Sequence, residues 1–150
     1  MKIEIDQSGK VEETQHDTVV AFSNGIFYSV KISKRTKRQI QEVFRKMEKP
    51  KRFMIETFCA LVFFVIKDHS TTISSIEIDK EYHGREEDIL NTLKLFFEVE
   101  SLDLPAISFV NIGKKSKAHQ IAIEVYRKKL KPNKLLNFQE LKAFIVKKQK

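Results

Sequence analysis

Two aspartates in a repeated tetrapeptide are the residues of this sequence best placed to do chemistry. The sequence IEID occupies residues 3–6 and recurs at residues 76–79, so the copies end at Asp6 and Asp79. Apolar and acidic residues alternate in both copies, as in a β-strand with one apolar face and one polar face. If the two strands are parallel neighbours, we expect the aspartates to lie about 5 Å apart.

Carboxylates so close together repel each other, by about 4 kcal/mol for unit charges 4 Å apart at an effective dielectric near 20. A divalent cation offsets this repulsion, and carboxylate oxygens are ligands that Mg²⁺ and Mn²⁺ favour. Glu81 lies on the same strand face as Asp79 and is a third candidate ligand. The alternative is that both strands simply expose an acidic face to water.

Charge is segregated along the chain, which carries a formal net charge of +8. Residues 31–52 hold ten Lys or Arg against two Glu, and residues 113–150 hold twelve against two. The remainder is acidic. This distribution suits a metal site beside a surface that binds a polyanion. The alternative is that the lysines only solvate the outer faces of helices.

Length and composition indicate one domain. With 150 residues and 41% hydrophobic content we expect a single domain over residues 1–146, followed by a frayed basic tail at residues 147–150. No secretory signal is predicted at the N-terminus, and the longest apolar run, residues 57–66, is short of the roughly twenty needed to span a bilayer. The single Cys59 lies in that run, and we expect a buried thiol in a cytoplasmic protein.

The periodicity of apolar residues predicts five strands and five helices in the order βββααβαβαα. Asn-Gly at positions 24–25 is a strong hairpin signal, and the continuous apolar run at 106–112 is typical of a buried parallel strand. The predicted strands are residues 2–6, 18–22, 26–32, 72–79 and 106–112, and the predicted helices are residues 33–49, 52–67, 84–97, 116–130 and 137–146.

This order, with aspartates ending the first and fourth strands, resembles the ribonuclease H-like superfamily, and RuvC-type Holliday-junction resolvases look closest. The resemblance covers about residues 2–130. It implies an α/β fold with a mixed five-stranded sheet, a three-strand antiparallel meander plus two parallel strands, flanked by helices. Asp6 in IEIDQSG is similar to the first metal-binding carboxylate of the family, and Asp79 in SIEIDKEY to the second.

The resemblance also implies ligands from the last helix of the fold, where His119 and Glu124 in FVNIGKKSKAHQIAIEVYR are the residues that match. The family commonly spaces these acids three residues apart, whereas Ala122 stands three after His119 and Glu124 stands five after it, on a different helix face. Three other acids are open as substitutes: Glu56, Glu77 and Glu81. Glu56 also has a structural interpretation, an ion pair with Arg52 in the first turns of its helix.

Two basic clusters are candidates for neutralising phosphates because they adjoin predicted helix starts or loops: Lys34, Arg35, Lys37 and Arg38, and Lys114, Lys115 and Lys117. Together with the paired aspartates, the resemblance implies a nuclease that uses two Mg²⁺ or Mn²⁺ ions on nucleic acid, with structured or branched DNA among its candidate substrates. The first alternative is a non-catalytic nucleic-acid-binding or scaffolding module of the same fold. A second is a partner-binding protein whose basic charge serves only solubility. A homodimer is left open beside a monomer.

Overall fold

The computed structural model describes residues 1–149, which form one six-stranded sheet and five α-helices. The strands are β1 (Lys2–Ser8), β2 (Thr18–Asn24), β3 (Ile26–Ile32), β4 (Ser75–Asp79), β5 (Ala106–Val110) and β6 (Lys134–Leu135). The helices are α1 (Lys34–Lys46), α2 (Phe53–Ile66), α3 (Glu86–Val99), α4 (Lys117–Tyr126) and α5 (Phe138–Lys147).

The sheet has the strand order β5-β4-β1-β2-β3-β6. Strands β1, β2 and β3 form the expected antiparallel meander, and β4 lies parallel to β1 on its other side. The register pairs Ile5 with Ile78, so the aspartates that follow them lie side by side. Six strands are present rather than the predicted five, because the two residues of β6 pair with Val30 and Lys31 of β3. A two-residue strand is too short to produce a periodic pattern.

The main core lies between the sheet and the nearly all-apolar α2. Ile3 and Ile5 of β1 and Ile76 and Ile78 of β4 point into it, as the alternating pattern predicts. The expected burial of Cys59 is confirmed, and burial raises the pKa of its thiol. On the opposite face α4 packs against β1, β2 and β3 through its predicted stripe of small and branched residues. The face that carries the acidic residues is therefore covered only in part.

Strand β5 is not the buried strand that its apolar sequence predicts. It lies at the edge of the sheet beside β4, and each of its five residues is exposed or half-buried. A short apolar run has the same appearance at the centre and at the edge of a sheet. The position of β5 follows from its pairing with β4, on whose other side β1 lies.

The two C-terminal helices also end differently from the prediction. Helix α4 ends at Tyr126 rather than near residue 130, since Lys128 adopts a left-handed backbone conformation (φ 63°). In the predicted basic tail, Lys147 and Lys148 each donate to Glu100 at 2.8 Å, and the Lys148 side chain is buried against Phe144. Lys150 lies outside the described residues.

Candidate metal centre

Three carboxylates meet at the ends of the two central parallel strands. Asp6, Asp79 and Glu81 each offer an oxygen, and these oxygens lie within 4.8 Å of one another. Asp6 is only 3% exposed, while Asp79 and Glu81 are half-buried. They meet because parallel pairing of β1 with β4 puts both aspartates on the face opposite the core isoleucines. The sequence predicted these three residues as the metal ligands.

Hydrogen bonds fix the orientation of both aspartates. Asp6 Oδ1 accepts from the Gln7 N–H at 2.8 Å, and Asp6 Oδ2 lies 2.8 Å from Nδ1 of His119 on α4. Asp79 Oδ1 accepts from the Ile112 N–H at 2.7 Å. The structure therefore brings His119 to Asp6, whereas the group of three candidate ligands does not include His119 itself. Its Nδ1 contacts a carboxylate oxygen, an arrangement that also orients histidines beside protein metal sites.

Burial and the neighbouring carboxylates disfavour ionisation of two of the three acids, Asp6 and Glu81. Burial raises the pKa of Glu81 to about 7, and the neighbouring charges of Asp79 and Asp6 act in the same direction. Burial likewise raises the pKa of Asp6, against the lowering effect of its bonds to Gln7 and His119. A group of carboxylates that resists holding its full negative charge is one that a divalent cation stabilises. The all-oxygen donor set fits Mg²⁺ or Mn²⁺.

Two predicted acids lie outside this group. Glu56 is buried in α2, where it accepts from Arg52 at 3.1 Å and from Gln149 at 2.9 Å, so its structural interpretation is confirmed. Glu124 is exposed on α4, five residues after His119, and does not join the three carboxylates. Glu77, the other alternative, forms a salt bridge with Lys2 at 3.3 Å.

The predicted basic loop adjoins the carboxylates. The segment from Ile112 to His119 contacts the acidic face through both of these residues and through Ser116, whose hydroxyl donates to Glu4 at 3.2 Å. The three lysines within this segment, Lys114, Lys115 and Lys117, are all exposed. The segment that carries the three lysines is therefore anchored to the acidic face at both of its ends.

The other predicted basic cluster needs a correction at Lys37. Lys34, Arg35 and Arg38 are exposed on α1, but the Lys37 side chain is fully buried. Its ammonium donates to the carbonyl oxygens of Lys10 at 3.0 Å and Glu13 at 2.7 Å, and to the Thr18 hydroxyl at 2.9 Å.

Burial lowers the pKa of Lys37 to about 8, and the side chain cannot reach a phosphate on the surface. The sequence held a signal for this burial, because Lys37 lies three residues before Ile40 and seven before Phe44, on the buried face of the helix.

A buried polar network behind the acids was not anticipated. The Tyr82 hydroxyl accepts from the Val11 N–H at 3.3 Å and lies 3.2 Å from carboxyl or amide oxygens of both Gln7 and Glu12. The Tyr82 ring packs edge-on against Phe58. The network joins the segments that follow β1 and β4, and so helps to hold Asp6 and Glu81 in place. The only signal in the sequence is that Gln7 continues the inward alternation of the isoleucines in β1.

Comparison of the chain with protein-family models, with curated proteins and with solved structures finds no match. Among residues 1–149, no helix is both long enough and apolar enough to cross a membrane. Any function assigned to this chain therefore rests on the chemistry of its own residues.

Proposed function

We propose that this protein is a divalent-metal-dependent nuclease of ribonuclease H-like fold that hydrolyses phosphodiester bonds in nucleic acid. The observation that carries the proposal is the meeting of Asp6, Asp79 and Glu81, with oxygens within 4.8 Å of one another. The strand order is a second support, because β1 lies between β2 of the meander and the parallel strand β4, as the resemblance implies. The partial cover of the acidic face by α4 leaves space for a substrate beside β4.

The carboxylates of Asp6, Asp79 and Glu81 would hold Mg²⁺ or Mn²⁺. Such ions, when bound, activate a water molecule and stabilise the leaving oxygen of a phosphodiester. His119 contacts Oδ2 of Asp6, and the Ile112 N–H binds Oδ1 of Asp79. These contacts hold the two carboxylates in fixed orientations, so little reorganisation is needed when a cation binds.

The exposed lysines of the loop would hold the substrate. Lys114, Lys115 and Lys117 neutralise backbone phosphates next to the carboxylates, and Lys34, Arg35 and Arg38 extend the basic surface along α1. Phosphate contacts position a nucleic acid without reading its sequence. Recognition would then depend on the shape of the substrate, which is compatible with structured or branched DNA.

One observation favours a non-catalytic nucleic-acid-binding or scaffolding module as the second candidate. Helix α4 contributes no carboxylate to the group, since Glu124 is exposed and three residues after His119 stands Ala122. A site with only three acids has less charge to hold two cations. In this case the basic loop would still bind nucleic acid, and no bond would be cleaved.

Asp79→Asn tests the proposal, with Glu77→Gln as the matched control on the same strand. Melting temperatures are measured with and without Mn²⁺, and cleavage is measured on labelled branched DNA, linear DNA and RNA. We expect the wild-type chain to be stabilised, by about 2.7 kcal/mol at a hundredfold excess of metal over Kd, and to cleave a substrate. Asp79→Asn should lose both properties, whereas Glu77→Gln should keep both.

Two outcomes contradict the nuclease. If Asp79→Asn keeps the full shift in melting temperature, Asp79 is not a metal ligand. If the wild-type chain is stabilised by Mn²⁺ and binds nucleic acid but cleaves none of the substrates, the non-catalytic module is correct. Binding that does not respond to salt, or no binding, would favour a protein whose basic charge serves only solubility.

A further inference from the structure

Strand β5 is an open edge of the sheet without the features that usually protect one. Proteins protect edge strands with charged residues, proline, bulges or a covering element. The five residues of β5, AISFV, include no charge and no proline, and they pair in regular register with β4. The opposite edge, β6, is only two residues long and includes Lys134.

The hydrogen-bonding groups of β5 alternate between β4 and the open side. At one end the Ala106 N–H donates to the Ser74 carbonyl at 3.3 Å, and at the other the Val110 carbonyl accepts from the Lys80 N–H at 2.9 Å. Residues in a parallel ladder alternate in the side to which they bond. Ile107 and Phe109 therefore direct their N–H and C=O groups away from β4, and within residues 1–149 no other element bonds to them.

We propose that β5 pairs in antiparallel fashion with β5 of a second copy of this chain, with Ser108 on the two-fold axis. Ile107 then faces Phe109 of the second copy, and the two copies exchange four backbone hydrogen bonds through the groups that point outward. A register centred on Ile107 would place Phe109 opposite Pro105, which has no N–H to donate. The register centred on Ser108 avoids this loss.

Side chains and charges agree with the same register. Strand β5 contains no charged residue, so no like charges meet in the pairing. Ile107 and Phe109 pack against the core of their own chain but are only half-buried, and in this register the Ile107 of one copy lies beside the Phe109 of the other. Exposed residues of opposite charge flank β5 at its two ends, Asp103 before the strand and Lys114 after it. Antiparallel pairing brings the flank that carries Asp103 in one copy towards the flank that carries Lys114 in the other. A second copy therefore fits this edge in hydrogen bonding, apolar contact and charge.

The pairing has a consequence for the carboxylate group. Antiparallel pairing of two identical edges has its two-fold axis perpendicular to the sheet, so the same sheet face of both copies points in one direction. Both groups of Asp6, Asp79 and Glu81 would then lie on one side of a continuous sheet. This arrangement does not depend on the proposed nuclease activity.

A charge swap at the axis tests the pairing. Ser108→Lys and Ser108→Glu each place like charges opposite each other across the two-fold axis, and sedimentation equilibrium measures the dimer dissociation constant. We expect the wild-type chain to be a dimer and each variant to dissociate about tenfold more readily. An equimolar mixture of the two variants should regain the dimer, because Lys then faces Glu. Ser101→Lys and Ser101→Glu, at an exposed position outside the strand, are the controls.

A wild-type chain that stays monomeric up to its highest soluble concentration overturns the proposal. So does a dimer whose dissociation constant is the same in all four variants. A charge introduced at position 108 lies beside Glu77 of the neighbouring strand β4. The melting temperature of each variant is therefore measured first, to show that the variant is folded. Amide hydrogen exchange of the wild-type chain needs no variant: the N–H groups of Ile107 and Phe109 should become protected as the concentration rises, and exchange that does not depend on concentration refutes the pairing.

Discussion

His119 and Asp6, 113 positions apart in the chain, are joined by a 2.8 Å contact between the imidazole Nδ1 and the carboxylate Oδ2. An ionised carboxylate only accepts hydrogen bonds, so Nδ1 is the donor of this contact whenever Asp6 is ionised. The contact links α4 to β1 near the end of the strand, and it uses only one of the two ring nitrogens, Nδ1. It connects the helix that carries the basic loop to the acid that lies deepest in the group.

Removing the imidazole should weaken metal binding without abolishing it. His119→Ala frees Oδ2 of Asp6 from its partner, and loss of such an orienting contact costs about 10–100-fold in metal affinity. Calorimetric titration with Mn²⁺ measures the change. Glu124→Ala, at an exposed position of the same helix, is the control and should bind Mn²⁺ like the wild-type chain. An unchanged affinity in His119→Ala would show that the contact does not orient a ligand.

The metal-free protein should lose stability as the pH rises from about 4.5 to about 7. The pKa of Glu81 is raised from 4.5 to about 7 in the folded chain, so the folded state binds more protons than the unfolded state in this window. The loss is on the order of 2 kcal/mol. Urea unfolding at several pH values measures it.

Two controls accompany this pH series. Glu81→Gln should reduce the slope, with a remainder of the same sign from Asp6, whose pKa burial also raises. Glu77→Gln, on the same strand as Asp79 but outside the group of three acids, is the matched control. A wild-type free energy of unfolding that rises with pH between 4.5 and 7 would contradict the crowding of these acids.

Lys37 should matter for stability and not for nucleic-acid binding. Lys37→Met leaves the oxygens of Lys10, Glu13 and Thr18 without their donor, at a cost of about 1–3 kcal/mol in the free energy of unfolding. Arg38→Met, at the exposed neighbouring position, should change this energy by about 0.5 kcal/mol or less. Urea unfolding of both variants decides the matter, and equal losses would mean that the buried ammonium bonds contribute nothing.

The basic loop should set the salt dependence of DNA binding. Each phosphate contact contributes about 0.9 to the slope of log K against log salt for duplex DNA. Replacing Lys114, Lys115 and Lys117 together by alanine should therefore flatten the slope by up to about 2.7 and weaken binding. A matched triple variant of exposed lysines elsewhere, Lys46→Ala with Lys51→Ala and Lys142→Ala, should have a smaller effect. Equal slopes for the loop variant and the wild-type chain would exclude the loop from the interface.

Gly9 should tolerate no side chain. Its backbone is left-handed (φ +76°), and an added Cβ would collide with the Asp17 carbonyl oxygen and lie 2.7 Å from Cε1 of Tyr126. Gly9→Ala should cost about 2–4 kcal/mol. Gly84 shares the left-handed conformation (φ +79°) with nothing within 4 Å, so Gly84→Ala should cost only about 1 kcal/mol. Thermal unfolding of both variants separates the cost of the collision at Gly9 from the cost of a left-handed backbone, which the two positions share.

Local pattern determined much of this fold. Alternation in the two IEID segments directs isoleucines to the core and aspartates to the other face, because successive side chains of a strand point in opposite directions. The pairing of Arg52 with Glu56 follows from their spacing of four residues in a helix. Asp6, Asp79 and Glu81 were therefore recognisable as candidate ligands from the sequence alone.

Tertiary packing decided which of the other candidates take part. The sequence offered Glu56, Glu124 and His119 as further candidates, and only the packing of α4 across β1 brings His119 to Asp6. Tertiary structure also decided that β5 lies at the open edge of the sheet, although its apolar residues predict a buried strand. Periodicity reports the face of an element on which a residue lies. The neighbours of that face depend on contacts between segments far apart in the chain, which no local pattern contains.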